Sequence, residues 1–367
     1  MTQADANPSL KQAPFGLASY SFPCSCGYAR RKDKPNLQNP MNAYALADLA
    51  AQNGLSSIEI PLDVDMMLPD ISNGTIDAFK SYLDQRNLGL MVDTGIVDPD
   101  KLAKIVPAAA RAGVKVIRAV VSGILEGNRY TIVNGADPNG SGWGKLTLGG
   151  GPKGSNWQIY LEEIHRRVQA VLPLLKEYDM VLALENHQDC TSDELLAFCD
   201  IDPNFIGITL DAVNPLAVCE EPYEFARKVG PHLHDVHLKD YTVRATPSGY
   251  RLVRAAVGQG VIDWARLLAL VAEMAPKAYL HIELAAIFSR HVRLFEDQWW
   301  SSFPAKPMQE IVPALRFLHQ HAVPDSVPWQ TPWELDGDNA PEDTRQYEMA
   351  QFAFSVSYLK SLYAVVK

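Results

Sequence analysis

Val181-Leu-Ala-Leu-Glu185, Ile206-Gly-Ile-Thr-Leu-Asp211, Asp235-Val-His237 and Tyr279-Leu-His-Ile-Glu283 are four short apolar runs, each ending in an acid or a histidine. Alternate side chains of an extended strand share a face. Glu185 and His187 therefore point one way, and Leu182 and Leu184 the other. By the same alternation Asp211 opposes Ile208 and Leu210, His237 opposes Val236 and Leu238, and Glu283 opposes Ile282 and Leu284. An apolar row outward and metal-loving groups inward, near the C-terminal ends of consecutive strands, is how a (β/α)8 barrel arranges its chemistry. Together the four residues read as one divalent metal site.

Working outward, strand-like runs alternate with helix-like runs along most of the chain. Strands are expected at Phe15–Phe22, Ser56–Pro61, Leu88–Thr94, Val114–Ser122, Met180–Asn186, Phe205–Asp211, Leu233–Lys239 and Ala278–Leu284. Helices are expected at Asn42–Gln52, Thr75–Arg86, Asp98–Ala112, Trp157–Tyr178, Ser192–Cys199, Pro222–Val229, Asp263–Met274 and Met308–Gln320. Thr191-Ser-Asp-Glu194 has the form of a capping box, Asp263 of an N-cap, and Asn53-Gly54 of a helix stop. Strict alternation predicts an α/β fold, a (β/α)8 TIM barrel with a C-terminal helical extension. The expected division is a tail over 1–14, the catalytic barrel over 15–322 and an extension over 323–367, whose helix packs on the barrel wall or on another subunit. The segments Pro23–Pro40, Gly123–Asn156, Tyr241–Ile262 and Ala285–Pro307 follow strands and are read as long loops on the catalytic face.

Composition narrows the function. A chain of 367 residues, 47% hydrophobic, can bury a large core, and its formal charge of −10 argues against nucleic acid or an anionic membrane as partner. No stretch has membrane-spanning length, and the first residues lack a basic and an apolar region, so the cytoplasm is the expected compartment. The five cysteines are an odd set and are read as reduced thiols; Cys24-Ser-Cys26 has no second pair to make a zinc site.

Three carboxylates and one imidazole (Glu185, Asp211, His237 and Glu283) make a hard, oxygen-rich shell. Such a shell suits one divalent ion with positions left for substrate, Mn²⁺ ahead of Mg²⁺, Co²⁺ or Zn²⁺. A ketose offers that ion its carbonyl and a neighbouring hydroxyl, and carboxylates on either side can remove and return the proton α to the carbonyl. Return to the opposite face is epimerisation, return to the neighbouring carbon is isomerisation, and loss of a β-substituent is elimination.

The order Glu, Asp, His, Glu on strands five to eight, set in Leu-Glu-Asn, Thr-Leu-Asp, Val-His-Leu-Lys-Asp and Ile-Glu-Leu, resembles the xylose-isomerase-like TIM-barrel superfamily. More narrowly it resembles the sugar (phosphate) isomerase/epimerase group. Val257-Gly-Gln-Gly-Val-Ile-Asp-Trp264 is similar to the stretch that follows the histidine strand there, and the likeness covers about residues 15–320. The resemblance implies that Glu185, Asp211, His237 and Glu283 hold the metal and that Glu185 and Glu283 also pass the proton. Glu185-Asn-His-Gln-Asp189, Tyr-x-Leu-Val-Arg at 250–254 and Asp297-Gln-Trp-Trp300 further resemble the branch with C-glycoside deglycosidase catalytic subunits. That branch implies lyase chemistry on a 3-oxo-glycoside and a small partner subunit. The expected substrate is a small sugar or glycoside and the expected assembly a homo-oligomer.

Departures from the group's pattern exclude one activity. Asn214 stands where epimerases and abasic-site endonucleases often carry a histidine, and strands two and three end in Ile58-Glu-Ile-Pro61 and Val92-Asp-Thr-Gly95 without one. A trinuclear zinc cluster lacks its ligands. His187 shares the inward face of Glu185 and is a candidate general base; Asn214, Lys239, Arg254, Glu59 and Trp299 are candidate substrate-binding residues. Arg244, Trp300 and Phe303 stand beside them as weaker candidates. Two glycine patterns carry no phosphate site: Gly149-Gly-Gly151-Pro-Lys-Gly154 has Pro152 in place of a donating N–H, and Gly142-Trp-Gly-Lys145-Leu lacks the Ser or Thr. Both read as a lid, and Arg30-Arg31-Lys32-Asp-Lys34 as a solvated loop.

Overall fold

Eight parallel strands close on themselves in the sequence-neighbour order expected of a (β/α)8 barrel. They are β1 (Gly16–Ala18), β2 (Ser57–Pro61), β3 (Gly89–Ile96), β4 (Val116–Val120), β5 (Val181–Glu185), β6 (Ile206–Asp211), β7 (Leu233–Leu238) and β10 (Tyr279–Ile282). The computed structural model describes residues 14–29, 38–63, 65–132, 156–285, 288–332, 334 and 341–366. The basic cluster at 30–34 and both glycine patterns of the fourth loop lie outside the described residues.

Helices α1 (Ala43–Gln52), α2 (Asn73–Asp84), α3 (Pro99–Arg111), α4 (Asn156–Glu177), α5 (Ser192–Cys199), α6 (Pro222–Val229), α7 (Trp264–Met274) and α9 (Met308–His321) follow the strands in turn, each where the periodicity places one. The local signals hold. Thr191 and Glu194 form the capping box, Asp263 accepts from Arg266 N, and Gly54 takes a left-handed φ of 60° after α1. Leu182, Leu184, Ile208, Leu210, Val236, Leu238, Ile282 and Leu284 are buried in the layer between barrel and helices. At about 1.5–3 kcal/mol per fully buried side chain, this outward row is what fixes each strand's register.

The seventh and eighth loops are not the irregular segments expected. Tyr241–Ile262 contains a hairpin, β8 (Asp240–Thr246) paired antiparallel with β9 (Gly249–Ala255). The stretch Ala285–Pro307 supplies β11 (Arg290–Val292) and a single turn, α8 (Asp297–Trp300). A further strand, β12 (Ala322–Pro324), completes a second sheet in the order β11-β9-β8-β12. The expected boundary at 322/323 therefore falls inside a strand that pairs with β8. Tyr241, Val243, Tyr250 and Leu252 bury this sheet against the rest of the core.

Asp240, at the start of the hairpin, explains the glycine stretch after it. Its carboxylate accepts from the backbone N–H groups of Gly258, Gly260, Val261 and Ile262 and from Trp264 Nε1, all within 2.9–3.3 Å. Gly258 has φ 91°, and a Cβ on Gly260 would meet the Asp240 carboxylate. The motif is a structural knot that ties α7 to β8.

The extension ends in α10 (Pro341–Val366), which lies on this chain's own barrel. Glu348 is buried and accepts from Cys24 N at 2.8 Å, Ser25 N at 2.9 Å and Ser25 Oγ at 2.6 Å. Phe352 meets Phe22 edge-on at 5.4 Å, and Ser355 Oγ accepts from Val257 N at 3.0 Å. All five cysteines are free and buried, and burial pushes each thiol pKa up, so none is poised to react. Among the described residues, no helix is long and apolar enough to cross a membrane.

Candidate active site

Glu185, Asp211 and His237 end β5, β6 and β7 or stand one residue inside, and offer ligand atoms within 4.8 Å of one another. Glu283 follows β10 and brings Oε2 to 3.8 Å from His237 Nδ1, while Glu185 Oε1 lies 3.9 Å from the same nitrogen. The structure thus gathers the four expected ligands around one imidazole edge. His237 Nδ1 and Asp211 Oδ1 are buried without a hydrogen-bond partner among the described residues. Each such atom costs about 1–3 kcal/mol unless a hydrogen-bond partner or a cation meets it.

Beneath this ring the side chains are paired. His237 Nε2 lies 3.0 Å from Glu59 Oε2 and 3.2 Å from Asp235 Oδ2. A carboxylate on one ring nitrogen fixes the ring and raises the basicity of the other, the usual support for a metal-binding histidine. Arg118, on β4, reaches three carboxylates: Glu59 at 3.1 Å, Glu185 at 3.2 Å and Asp93 at 3.4 Å. Asn186 and Asn214 clamp Asp211, the first by accepting from Asp211 N at 2.6 Å, the second by donating to Oδ2 at 2.7 Å.

The electrostatics show an excess of buried negative charge. Glu59, Asp93, Glu185, Asp211, Asp235 and Glu283 are all buried, with Arg118 and Lys239 as the permanent cations beside them. Burial pushes Asp211 up to about 7 although Lys239 pulls it down, and burial pushes Asp93 up to about 8 against Arg118. For Glu185 burial acts upward too, but Arg118 and His187 hold it below the usual carboxylate range. Burial disfavours charge on His237, and the carboxylates of Glu59 and Asp235 outweigh it, raising its pKa well above 6.5. Buried carboxylates in such number call for a cation. The orphaned nitrogen and oxygen, the supporting Glu59 and the surplus charge all fit a divalent ion.

A cavity of about 510 Å³ opens above the ring, lined by Arg118, Glu185, His187, Lys239, Glu283 and Arg290 among others. His187 is where strand parity places it, and burial lowers its pKa to about 4, so the imidazole is neutral at neutral pH. Lys239 bridges two of the gathered acids, Asp211 and Glu283, with Nζ 2.5 Å from Glu283 Oε2. Glu59 and Asn214 support His237 and Asp211 instead of facing the cavity. Two expectations move away from substrate. Arg254 Nη2 donates to Ser21 O at 3.1 Å beneath Tyr347, and Trp299 is buried, donating to Glu126 O at 2.8 Å and stacked on Phe303 at 4.3 Å. Neither lines the cavity.

Sequence reading missed Arg118, Asp93, Asp235 and His281. The signal was available for two of them. Asp235 and His281 stand two residues before His237 and Glu283, so the same alternation turns them inward. His281 lies between Asp235 Oδ1 at 2.8 Å and Ser57 Oγ at 3.0 Å, in space that a side chain on Gly16 would fill.

Comparison with known proteins follows the geometry. The chain is 21% identical over 226 residues to the uncharacterized protein YihM of Escherichia coli K12, covering 61% of this chain and 60% of that protein. It is 28% identical over 100 residues to the 3-oxo-isoapionate decarboxylase of Pectobacterium atrosepticum, covering 26% of this chain and 36% of the relative. Each match spans less than two thirds of the curated relative. Among solved structures, D-psicose 3-epimerase in the presence of D-fructose superposes with a TM-score of 0.52 at 12% identity, covering 94% of this chain and 99% of that one. A xylose isomerase-like TIM barrel protein from Mycobacterium smegmatis, in complex with magnesium, gives 0.51 at 17% identity, covering 84% and 98%. At those identities the structures speak for the fold. The profile of one family, described as xylose isomerase-like TIM barrel, matches residues 47–286, and the chain belongs to that family.

Proposed function

We propose that the chain is a divalent-metal-dependent sugar isomerase or epimerase that removes and returns a proton α to a carbonyl. One observation carries the reading. Glu185 and Glu283, on strands separated by β6 and β7, approach His237 Nδ1 to 3.9 and 3.8 Å and both line the same cavity. Two carboxylates facing one space from different walls can take a proton from one side of a carbon and return it to another.

Glu185, Asp211, His237 and Glu283 would hold the ion. When bound, a divalent ion polarises a sugar carbonyl and acidifies the neighbouring C–H. The chain's own residues do the rest. Arg118 keeps Glu185 ionised and aimed, so that its carboxylate is a competent proton acceptor. Lys239 is held between Asp211 and Glu283 at the cavity wall, where its ammonium can donate to an oxygen that gains negative charge. His187, with a pKa near 4, suits hydroxyl orientation better than proton abstraction at neutral pH. The cavity of about 510 Å³ falls inside the range of roughly 300–1,000 Å³ common for small-molecule sites.

The test is hydrogen exchange. With Mn²⁺ present, a ketose substrate incubated in deuterated water gains deuterium next to its carbonyl, and EDTA stops it. A panel of ketoses and keto sugar acids with no metal-dependent exchange sinks the proposal. A second reading has its own support in the relative named 3-oxo-isoapionate decarboxylase, a bond-breaking activity on a 3-oxo compound by its name. Here the same proton abstraction ends in loss of a substituent, as in cleavage of a 3-oxo-glycoside or dehydration. Release of an aglycone or an unsaturated product from 3-oxo-glucosides distinguishes it.

A further inference from the structure

Cations that line the cavity are not equivalent. Arg118 is committed to Glu59, Asp93 and Glu185, and Lys239 to Asp211 and Glu283. Arg290 is different: its Nε and Nη1 are buried without a hydrogen-bond partner among the described residues, and its side chain lines the cavity with Glu185, His187 and Glu283. The guanidinium lies over the Phe288 ring at 4.2 Å, which supports its plane without using its N–H groups. The backbone is fixed as well. Arg290 pairs with Leu252 across β11 and β9, and its neighbour Ser289 is pinned by Glu334 at 2.5 Å and by Arg251 at 3.2 Å.

Glu126 also lines the cavity, but its carboxylate is occupied, accepting from Asn128 Nδ2 at 3.0 Å, His291 N at 2.9 Å and Arg293 Nη1 at 3.5 Å. Among the described residues, no acid of the cavity wall therefore neutralises Arg290 by contact. Arg290 is half-buried, and buried donors left idle on a cation carry a cost that a ligand can relieve. Either fork of the guanidinium, Nε with Nη2 or Nη1 with Nη2, matches a carboxylate, and one nitrogen of each is idle here, whereas a phosphate dianion calls for more than one uncommitted cation.

We propose that Arg290 is a specificity residue that holds the carboxylate of a sugar acid, with the sugar's reacting carbon directed to Glu185 and Glu283. The inference rests on the proton-abstraction reading for what happens next, but not for binding. The substrate class is then an oxidised sugar carrying a carboxylate, in place of a neutral ketose.

Three linear probes of equal carbon count separate the cases: D-gluconate, D-sorbitol and sorbitol 6-phosphate. Affinities are measured by ligand-observed NMR titration on the full chain, once with Mn²⁺ and once with EDTA, so that chelation by the carboxylate is told apart from Arg290. Gluconate is expected to bind at least about tenfold more tightly than sorbitol in both conditions. Arg290→Gln erases that difference and leaves sorbitol unchanged, and Arg290→Lys keeps part of it. Among the described residues Nε and Nη1 make no hydrogen bond to lose, and the contact with Phe288 offsets the relief of the idle donors, so the melting temperature should change little. A wild-type chain that holds gluconate no more tightly than sorbitol overturns the proposal, as does an Arg290→Gln variant that weakens both alike. Tighter Arg290-dependent binding of sorbitol 6-phosphate overturns the carboxylate assignment. Gluconate preference without any solvent exchange leaves the anion site standing and removes the proton-abstraction reading; exchange without gluconate preference does the reverse.

Discussion

Two tiers of inward side chains, made of the same residue types, lie one above the other, and on β7 and at the end of β10 they stand two residues apart. The lower tier is Glu59, Asp235 and His281; the upper is Glu185, Asp211, His237 and Glu283. Both bring acids and an imidazole within metal-binding reach, yet their wiring differs. In the lower tier both His281 nitrogens have partners, Asp235 and Ser57, and both Glu59 oxygens are used, by Arg118 and His237. In the upper tier His237 Nδ1 and Asp211 Oδ1 have none. Burial acts upward on every acid, but His281 and His237 hold Asp235 far below the usual range, while Asp211 rises to about 7. The lesson is that a metal-like residue list does not identify a site. Unpartnered atoms beside a cavity do, whereas the lower tier turns to the upper one, with Glu59 Oε2 3.0 Å and Asp235 Oδ2 3.2 Å from His237 Nε2.

The largest effect tests whether the upper tier does chemistry. Glu283→Gln keeps the shape and removes the base, so turnover should fall by about 10²–10⁴-fold. The same change relieves like charge but gives up the buried contact with Lys239, which keeps Asp211, so the melting temperature should shift little. A variant that loses stability along with activity would place Glu283 in the scaffold. The mirror experiment is Asp235→Asn, which strips His281 and His237 of a carboxylate. Stability should drop by about 3–5 kcal/mol, as for one partner removed from a buried charge pair. Metal affinity should weaken by about 10–100-fold through the loosened His237 ring. Calorimetric unfolding with and without Mn²⁺ separates these two losses.

Much of this arrangement was legible from alternation alone. The strands, the helices and the inward parity of Glu185, His187, Asp211, His237, Lys239 and Glu283 follow from a period of two read against apolar runs. The reading stopped one step short at Asp235 and His281, where the same period applies. Arg118 sits inside Val116-Ile-Arg-Ala-Val120, and only the closed barrel reveals that three carboxylates from other strands converge on it. Arg254 and Trp299 went astray for a physical reason. Their directions are set by the β8–β9 hairpin and by α8, and strand parity in the barrel says nothing about either. The hairpin itself had a signal, since Tyr241, Val243 and Ala245 alternate on one run and Tyr250, Leu252 and Arg254 on the next.

The tiers should also part with pH. Asp211 and Asp93 have folded pKa values raised to about 7 and about 8, above an unfolded value near 3.9. The folded metal-free chain then binds more protons than the unfolded one between those values, so its stability falls as pH rises through about 4 to 8. Metal binding runs the other way, because the ion must displace protons from Asp211 and His237. Affinity should rise by up to about tenfold per pH unit for each proton displaced, levelling once both groups are bare. Melting curves from pH 6 to 8.5 should therefore show the gap between Mn²⁺-loaded and EDTA-treated protein widening. A gap that stays constant would mean the ion sits elsewhere.

The smallest and most informative change is at the link between tiers. Arg118 touches Glu59 below and Glu185 above, and a lysine keeps its charge while giving up the fork. Arg118→Lys should fold and keep metal, since Glu59 still meets His237 at 3.0 Å. Its kcat should drop by about tenfold with KM little changed, an effect of the order seen when a supporting side chain is lost. The acid limb of the kcat profile should move upward as well. Burial alone would raise Glu185, and Arg118 is the largest influence opposing it. An unmoved limb with the same loss of kcat would mean that Arg118 meets the substrate directly from the cavity wall, and does not act by holding Glu185.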